Sequence, residues 1–169
     1  MSKVLDIADR KIEAGRKRLL EDFETQYQTM LRNHSANGGL RSGNTVRETM
    51  NIAIESGDLL RNLIIDQSTW AIRDSIYVPM SFSEELNVVA SKHFSEFKAA
   101  SEEYVKKASE MSGKPAVHEK VYPEVENKIQ RSLDDCKLEI EALVASNHSR
   151  GIKGIGKFIF SCFAKFWGR

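Results

Sequence analysis

Apolar residues recur at steps of three and four along most of the chain, a spacing that predicts long amphipathic helices. The first predicted helix runs from about Lys3 to Asn33 and ends before the glycines of Asn37-Gly38-Gly39. The second runs from about Thr45 to Tyr77, with Gly57 marking a kink or a close helix contact and Pro79 stopping the helix. The two stripes consist of Leu5, Ala8, Ile12, Gly15, Leu19, Phe23, Tyr27 and Met30, then Val46, Met50, Ala53, Ile54, Leu60, Leu63, Ile64, Trp70, Ala71 and Ile76.

Two further helices are predicted in the second half of the chain. The third starts at a capping box, with Ser81 as N-cap and Glu84 three residues later, and ends near Gly113. The fourth starts near Pro123, which is tolerated in a first turn, and continues to about Asn147. Their stripes are Leu86, Ala90, His93, Phe97, Ala100, Tyr104, Ala108 and Met111, then Val125, Ile129, Leu133, Cys136, Ile140, Leu143 and Asn147.

These elements predict an all-α fold, because no segment alternates apolar and polar residues as a strand would. Four helices of roughly 25–33 residues with short connectors favour an up-down bundle. A long helical hairpin that dimerises is the rival architecture. The predicted organisation is a helical bundle over residues 1–149, followed by a cationic amphipathic tail over residues 150–169.

The charge distribution separates the tail from the rest of the chain. The 169 residues contain 25 basic and 24 acidic side chains. The tail holds five of the basic residues, Arg150, Lys153, Lys157, Lys165 and Arg169, and no acid. Residues 1–149 therefore keep 20 basic residues against 24 acidic ones, a net charge of −4, while the tail carries +5. This split predicts that the tail meets an anionic partner.

The apolar residues of the tail form a wide face when the segment is drawn as a helix. At 100° per residue they fall in one arc of about 200°, and Arg150, Lys153, Lys157 and Lys165 fall in the remainder. The arc contains Ile152, Ile155, Phe158, Ile159, Phe160, Cys162, Phe163, Phe166 and Trp167. Aromatic and aliphatic side chains opposite lysines are typical of helices that lie in a bilayer interface. The predicted membrane-binding residues are Ile152, Lys153, Ile155, Lys157, Phe158, Ile159, Phe160, Phe163, Lys165, Phe166 and Trp167.

Other roles for this tail stay open. Its apolar face would equally cap the bundle, form an oligomer or fill a groove on a partner protein. The pentad Gly154-Ile155-Gly156-Lys157-Phe158 resembles the start of the magainin-type cationic peptides, which implies that the chemistry for lying on a bilayer is present. Gly151, Gly156 and Lys157 have the spacing of a phosphate-binding loop, but Phe158 replaces the required Ser or Thr and no apolar strand precedes them.

No catalytic or metal-binding pattern emerges from the remaining residues. The histidines His34, His93, His118 and His148 lack the Glu-x-x-His spacing of a di-iron bundle, and His93 on its apolar stripe is expected to be a satisfied core histidine. The acids Asp134, Asp135, Glu139 and Glu141 are expected to form a solvated face. The basic cluster Arg10, Lys11, Arg16, Lys17 and Arg18 is diluted by Glu13, Glu21 and Asp22, which makes nucleic-acid binding an unfavoured interpretation. We expect no cofactor.

The sequence as a whole favours binding over catalysis. The separated Cys136 and Cys162, an N-terminus without an apolar signal region and the lack of a spanning apolar run predict a cytoplasmic protein, peripheral at the inner membrane face. The preferred hypothesis is a non-enzymatic scaffold or adaptor anchored by its tail to an anionic membrane surface. The alternatives are a membrane-disrupting effector, pore-forming or toxin-like, whose tail is released from the bundle, and a soluble homo-oligomeric interaction module.

Overall fold

The computed structural model describes the backbone of residues 3–167 and the side chains of residues 3–148. Four helices account for nearly all of it: α1 (Lys3–Ala36), α2 (Gly43–Asp74), α3 (Phe82–Met111) and α4 (Val117–Trp167). No strand occurs within residues 3–167, which confirms the predicted all-α class.

The helices pack as a bundle in which α2 and α3 occupy the centre. Both α1 and α4 pack against α2 and against α3, and α2 also contacts α3, whereas α1 and α4 do not meet within the described part of the chain. The order around the bundle axis is therefore α1, α2, α4, α3. A simple up-down ring would instead be closed by a contact between α1 and α4. Neighbours α1 and α3 run parallel, as do α2 and α4. The contacts that show this are Asp9 with Lys92, Tyr27 with Met111, Gly57 with Ile129 and Arg61 with Glu139.

The core is built largely from the predicted stripes, although on α3 the unpredicted Phe94 and Val105 are fully buried and the predicted Met111 is exposed. Gly57 lies at a close helix contact, one of the two predicted alternatives, because a Cβ there would lie 3.3 Å from Ile129 Cγ1 and 3.7 Å from Phe97 Cε1. Gly15 plays the same part on α1, where a Cβ would approach Leu63 Cδ2 to 2.5 Å. Small residues at these positions let the helices approach closely. The largest fully buried side chains are Phe23, Phe94, Phe97, Leu5, Ile12, Leu60, Ile64, Leu86, Ile129, Ile140, His93 and Val105.

The second helix ends earlier than predicted. It stops at Asp74 instead of Tyr77, because Ser75 adopts an extended backbone (φ −84°, ψ 130°) and its hydroxyl bonds back to the Ala71 carbonyl at 2.8 Å. Ile76, placed by the sequence on the buried stripe, is instead fully exposed. The side-chain hydrogen bond within the last turn competes with continuation of the helix.

The third helix starts where predicted, but by another mechanism. Ser81 has a helical backbone (φ −63°, ψ −12°) and its side chain makes no capping hydrogen bond, so the predicted capping box is wrong. The first turn is instead closed by the amide of Phe82, which donates to the Pro79 carbonyl at 3.0 Å. Ser83 contributes a hydroxyl bond of 2.8 Å to the Met80 carbonyl.

The fourth helix begins at Val117, before the predicted start at Pro123. Pro123 thus lies in the second turn and lacks the amide that would bond to the Glu119 carbonyl. Packing offsets this loss, because Tyr122 is buried and its hydroxyl donates to the Lys98 carbonyl of α3 at 2.9 Å. Val117 adds contact with the core from the first turn. Tertiary contacts therefore extend the helix beyond Pro123 toward the N-terminus, although proline is usually confined to the first turn.

The α1–α2 connector is closed by hydrogen bonds between polar groups. Gly38 has a positive φ of 67°, which suits glycine, and the amide of Gly39 donates to the His34 carbonyl at 2.7 Å. The buried hydroxyl of Thr45 donates to the Leu40 carbonyl at 3.1 Å and lies 2.8 Å from His34 Nδ1. These bonds satisfy the backbone groups that the turn exposes.

Candidate functional site

The predicted membrane-binding residues all belong to the last part of α4. Their side chains lie outside the described residues 3–148, and so does the predicted separation of an apolar face from a cationic one. The structure does describe the place where the tail begins. That place is the end of the bundle formed by the α2–α3 connector and the last described turn of α4.

The last described residues of α4 are held against the α2–α3 connector. His148 Nδ1 lies 3.2 Å from the Val78 carbonyl, which can only accept, so this nitrogen donates. Asn147 Nδ2 donates to the Leu143 carbonyl at 2.9 Å. The tail, whose first residue is Arg150, therefore departs beside this connector. The contact places the start of the tail at this end of the bundle.

The α2–α3 connector exposes a patch of large apolar side chains. Ile76 is completely exposed, Tyr77 is 68% exposed and Met80 is 54% exposed. Val78, between them, packs partly against the core. A single exposed apolar residue is ordinary, but three within five positions at one end of a bundle form a patch. We call Ile76, Tyr77 and Met80 the connector patch.

Sequence reasoning missed the connector patch. The apolar spacing of the second stripe continues through Ile76, so periodicity alone predicts that this residue is buried. Pro79 was the available signal, but it restricts only the residue before it. The actual helix end depends on the backbone of Ser75, which no local rule identified in advance.

A polar network links α1 to α3 near the same end. The Nε of Arg16 donates to His93 Nδ1 at 3.3 Å, so the ring proton is on Nε2 and is donated to Asp9 Oδ1 at 2.7 Å. Lys92 binds the same carboxylate at 3.1 Å, and Arg16 also pairs with Glu96. His93 is completely buried, which confirms the expectation of a satisfied core histidine.

The electrostatics of this network keep the imidazole neutral and the carboxylate charged. Burial lowers the pKa of His93, and its hydrogen bond with Asp9 offsets this only in part. Burial acts to raise the pKa of Asp9, but the hydrogen bonds from His93 and Lys92 outweigh it and the pKa is lowered. With Nδ1 occupied by Arg16 and the ring enclosed, the imidazole is placed to join two helices and has no open side toward a substrate.

The other histidines also have individual contacts. His34 Nε2 lies 3.2 Å from Glu48, and the His118 ring stacks on Tyr122 with centroids 5.5 Å apart. Within the side chains described, no group of three or more His, Cys, Asp or Glu residues is arranged to hold a metal ion.

Several members of the charged clusters singled out in the sequence have individual partners in the fold. In the basic cluster, Arg16 pairs across to α3, Lys17 pairs with Glu13 at 2.8 Å, and Lys11 lies 3.5 Å from the Trp70 ring centroid. Among the acids of α4, Glu139 binds Arg61 of α2 at 2.7 Å, whereas Glu141 accepts from Asn87 of α3 at 3.2 Å. These side chains make contacts between or along helices. The acids of α4 are nevertheless largely solvated, as expected, since Asp134, Asp135 and Glu141 are exposed.

A half-open groove of about 410 Å³ lies at the opposite end of the bundle. It runs between the start of α2 and the start of α4, with apolar side chains on its floor and basic residues at its edge. Glu124 in its lining is paired with Lys128 at 3.1 Å. The remaining lining residues are Gly43, Val46, Arg47, Met50, Asn51, Ile54, Ser112, Lys114, Val117 and Val121.

Cys136 is buried on α4 away from both ends of the bundle, and burial raises the pKa of its thiol to about 12. A thiol held protonated in this way is a poor nucleophile. In the part of the chain open to description, no helix is long and apolar enough to cross a membrane. No model of a known family, no curated protein and no solved structure matches the chain.

Proposed function

We propose that this protein is a non-enzymatic helical bundle that binds an anionic membrane surface peripherally through residues 150–169 and acts there as an anchored scaffold or adaptor. The observation that carries the proposal is the composition of the tail. Five basic residues and no acid are combined with five aromatic residues between Phe158 and Trp167. Interfacial helices combine these residue types for lipid headgroups and for the acyl boundary.

Electrostatics favour the tail as the membrane-binding part of the chain. The body carries a net charge of −4 and is repelled by anionic lipid, whereas the tail carries +5. Each basic residue near an anionic surface contributes about 1 kcal/mol, and this attraction weakens within a Debye length of about 10 Å at 0.1 M salt. Binding is therefore expected to fall steeply as salt is raised.

The packing of the body supports a separate role for the tail. Buried side chains from all four helices, between Leu5 and Val144, form one core cluster. Several ion pairs of the body join one helix to another, as between Arg61 and Glu139. Such a body has its own stabilising contacts, and a tail that binds lipid would not have to contribute to them.

Co-sedimentation with anionic vesicles tests the proposal on the full-length protein. Ile159→Asp combined with Phe163→Asp is expected to abolish vesicle binding and to leave the thermal midpoint nearly unchanged. The matched control is Leu59→Asp combined with Leu138→Asp, which charges two exposed apolar positions of the body, 51% and 65% exposed, and should preserve binding. Loss of about 3 kcal/mol or more of stability in the tail variant would instead mean that the tail is packed in the core.

Dye release separates the anchor from a membrane-disrupting effector. An anchor binds anionic vesicles without leakage, whereas an effector releases the trapped dye in a manner that depends on residues 150–169. A soluble homo-oligomer predicts neither result, but predicts a complex that dissociates when Phe163 and Phe166 are replaced by Asp. If the full-length protein ignores anionic vesicles at low salt, the proposed function is rejected.

A further inference from the structure

The connector patch has no packing role that explains its residue types. Ser75 ends α2, and the chain leaves the helix with Ile76 and Tyr77 exposed. Pro79 disfavours a helical backbone at the residue before it. Val78 faces the core between them. The connector is therefore a short loop that is held in place at its middle and that exposes apolar side chains on either side.

The position of the patch couples it to the tail. The His148 contact with the Val78 carbonyl, 3.2 Å long, joins the last described turn of α4 to this loop. Arg150 follows His148 by two residues, a span of at most about 7 Å. The tail therefore starts at the end of the bundle where Ile76, Tyr77 and Met80 are exposed.

We propose that the connector patch is a second lipid contact, inserted at the same bilayer surface as the tail and orienting the bundle with this end toward the membrane. The inference rests on the proposed function. Ile76 and Met80 supply apolar side chains for the acyl boundary, and Tyr77 has the amphipathic ring that favours the headgroup level. Because the tail already holds the protein at the surface, insertion of the patch is an intramolecular step.

The charges around the patch limit how far this end enters the bilayer. Glu84 and Glu85 stand in the first turn of α3, where anionic headgroups would repel them. Arg73, in the last turn of α2, is exposed, but its Nε lies 3.7 Å from Asp74 Oδ1, so this pair adds no net positive charge beside the patch. The contact is thus confined to the loop, and the helices beneath it stay in water.

An environment-sensitive fluorophore on the loop tests the proposal in the full-length chain. Ile76→Cys carries the label in a Cys162→Ala background, and Leu138→Cys, also on an exposed apolar position, serves as the control. The buried Cys136, with its raised thiol pKa, remains unlabelled. Vesicles with 30% anionic lipid are expected to shift the emission of the probe at position 76 to shorter wavelength and to leave the probe at 138 unchanged.

Affinity supplies the second measurement. Tyr77→Asp is expected to weaken vesicle binding on the order of tenfold, since it removes one interfacial side chain and adds a charge. Leu138→Asp should leave affinity unchanged.

Each outcome separates this inference from the proposed function. Sedimentation of the protein without a shift at position 76 overturns the connector contact and leaves the tail anchor standing. The emission of the probe at position 76 could also be blue-shifted already in solution and return to longer wavelength in the Ile159→Asp, Phe163→Asp variant. That result would show that the tail covers the loop, and it also overturns the lipid contact. Failure to sediment rejects both proposals.

Discussion

In the half of the bundle that holds the α1–α2 connector, aromatic side chains fill the interior and polar groups close the end. The Tyr104 ring lies 4.5 Å from Phe23 and 5.2 Å from Tyr27, centroid to centroid. Outside them, Thr45 and His34 are joined at 2.8 Å beneath the turn. Apolar groups are inside and hydrogen-bonded groups are outside, as stability alone favours.

The half that holds the α2–α3 connector also has a mainly apolar interior, but it differs in one buried polar network and in its apolar end. Here the interior contains the buried His93 and its partners Asp9 and Arg16, while Ile76 and Tyr77 face water at the end. Neither feature is needed to close a bundle, since the other half closes without them. Departures from local consistency are where functional or strained sites are expected, and this end is also the one from which the tail leaves.

The largest expected difference between the halves comes from truncating one aromatic side chain in each. Phe23→Ala should lower the free energy of unfolding by about 3–5 kcal/mol, because a fully buried ring is replaced by a cavity. Tyr77→Ala should change it by less than about 0.5 kcal/mol, because the ring is mostly exposed. Urea denaturation measures both values. A cost above about 1 kcal/mol for Tyr77→Ala would show that the connector is packed against protein and would weaken the contrast.

The turn at the polar end gives a smaller effect through backbone conformation. Gly38→Ala should cost about 1 kcal/mol, since φ is 67° and an added Cβ would meet no atom within 4 Å that could compensate. Gly43→Ala is the matched control: its Cβ too would meet no atom within 4 Å, but it lies in α2 and should be neutral or slightly stabilising. Equal effects of the two variants in thermal denaturation would contradict the role assigned to the Gly38 conformation.

The smallest expected effect is a difference in pH response between the two interiors. The folded-state pKa of His93 is lowered from 6.5, so the unfolded chain binds more protons and stability falls as pH drops below that value. Burial raises the pKa of Tyr104 above 10.0, and its hydrogen bond to Glu24 adds to this, so its contribution is lost as pH rises past that value. Thermal midpoints should fall at both extremes. His93→Gln should flatten the acidic side and Tyr104→Phe the alkaline side, and an unchanged profile in either variant would remove that group from the comparison.

Several features of the fold were predictable because they depend on neighbours close in sequence. The stripes through Ile12, Ile64 and Ile129 follow the helical repeat, and all three residues are buried. Gly57 indicated a kink or a close helix contact because a side chain is missing from an otherwise helical pattern, and the structure shows the contact. The burial of His93 followed from its place on an apolar stripe, although nothing in the sequence indicated its partners on α1.

Features that depend on long-range packing were mispredicted. The start of α4 moved to Val117 because Tyr122 bonds to α3, a contact between residues 24 positions apart. The capping box at Ser81 had the right residues, but the backbone there is already helical. The start of α4 was thus decided by the packing of α4 on α3, whereas the outcome at Ser81 is local, because Phe82 and Ser83 bond to the Pro79 and Met80 carbonyls.

By itself, the sequence determined an all-α chain of four amphipathic helices and the concentration of cationic and aromatic residues in positions 150–169, because helical periodicity and composition are properties of neighbouring residues. The tertiary structure alone decided the order α1, α2, α4, α3 around the axis and the exposure of Ile76 and Tyr77 beside the start of the tail. Those outcomes depend on which stripes meet across long separations of the chain, and hydrophobic burial has no preferred partner until the helices pack together.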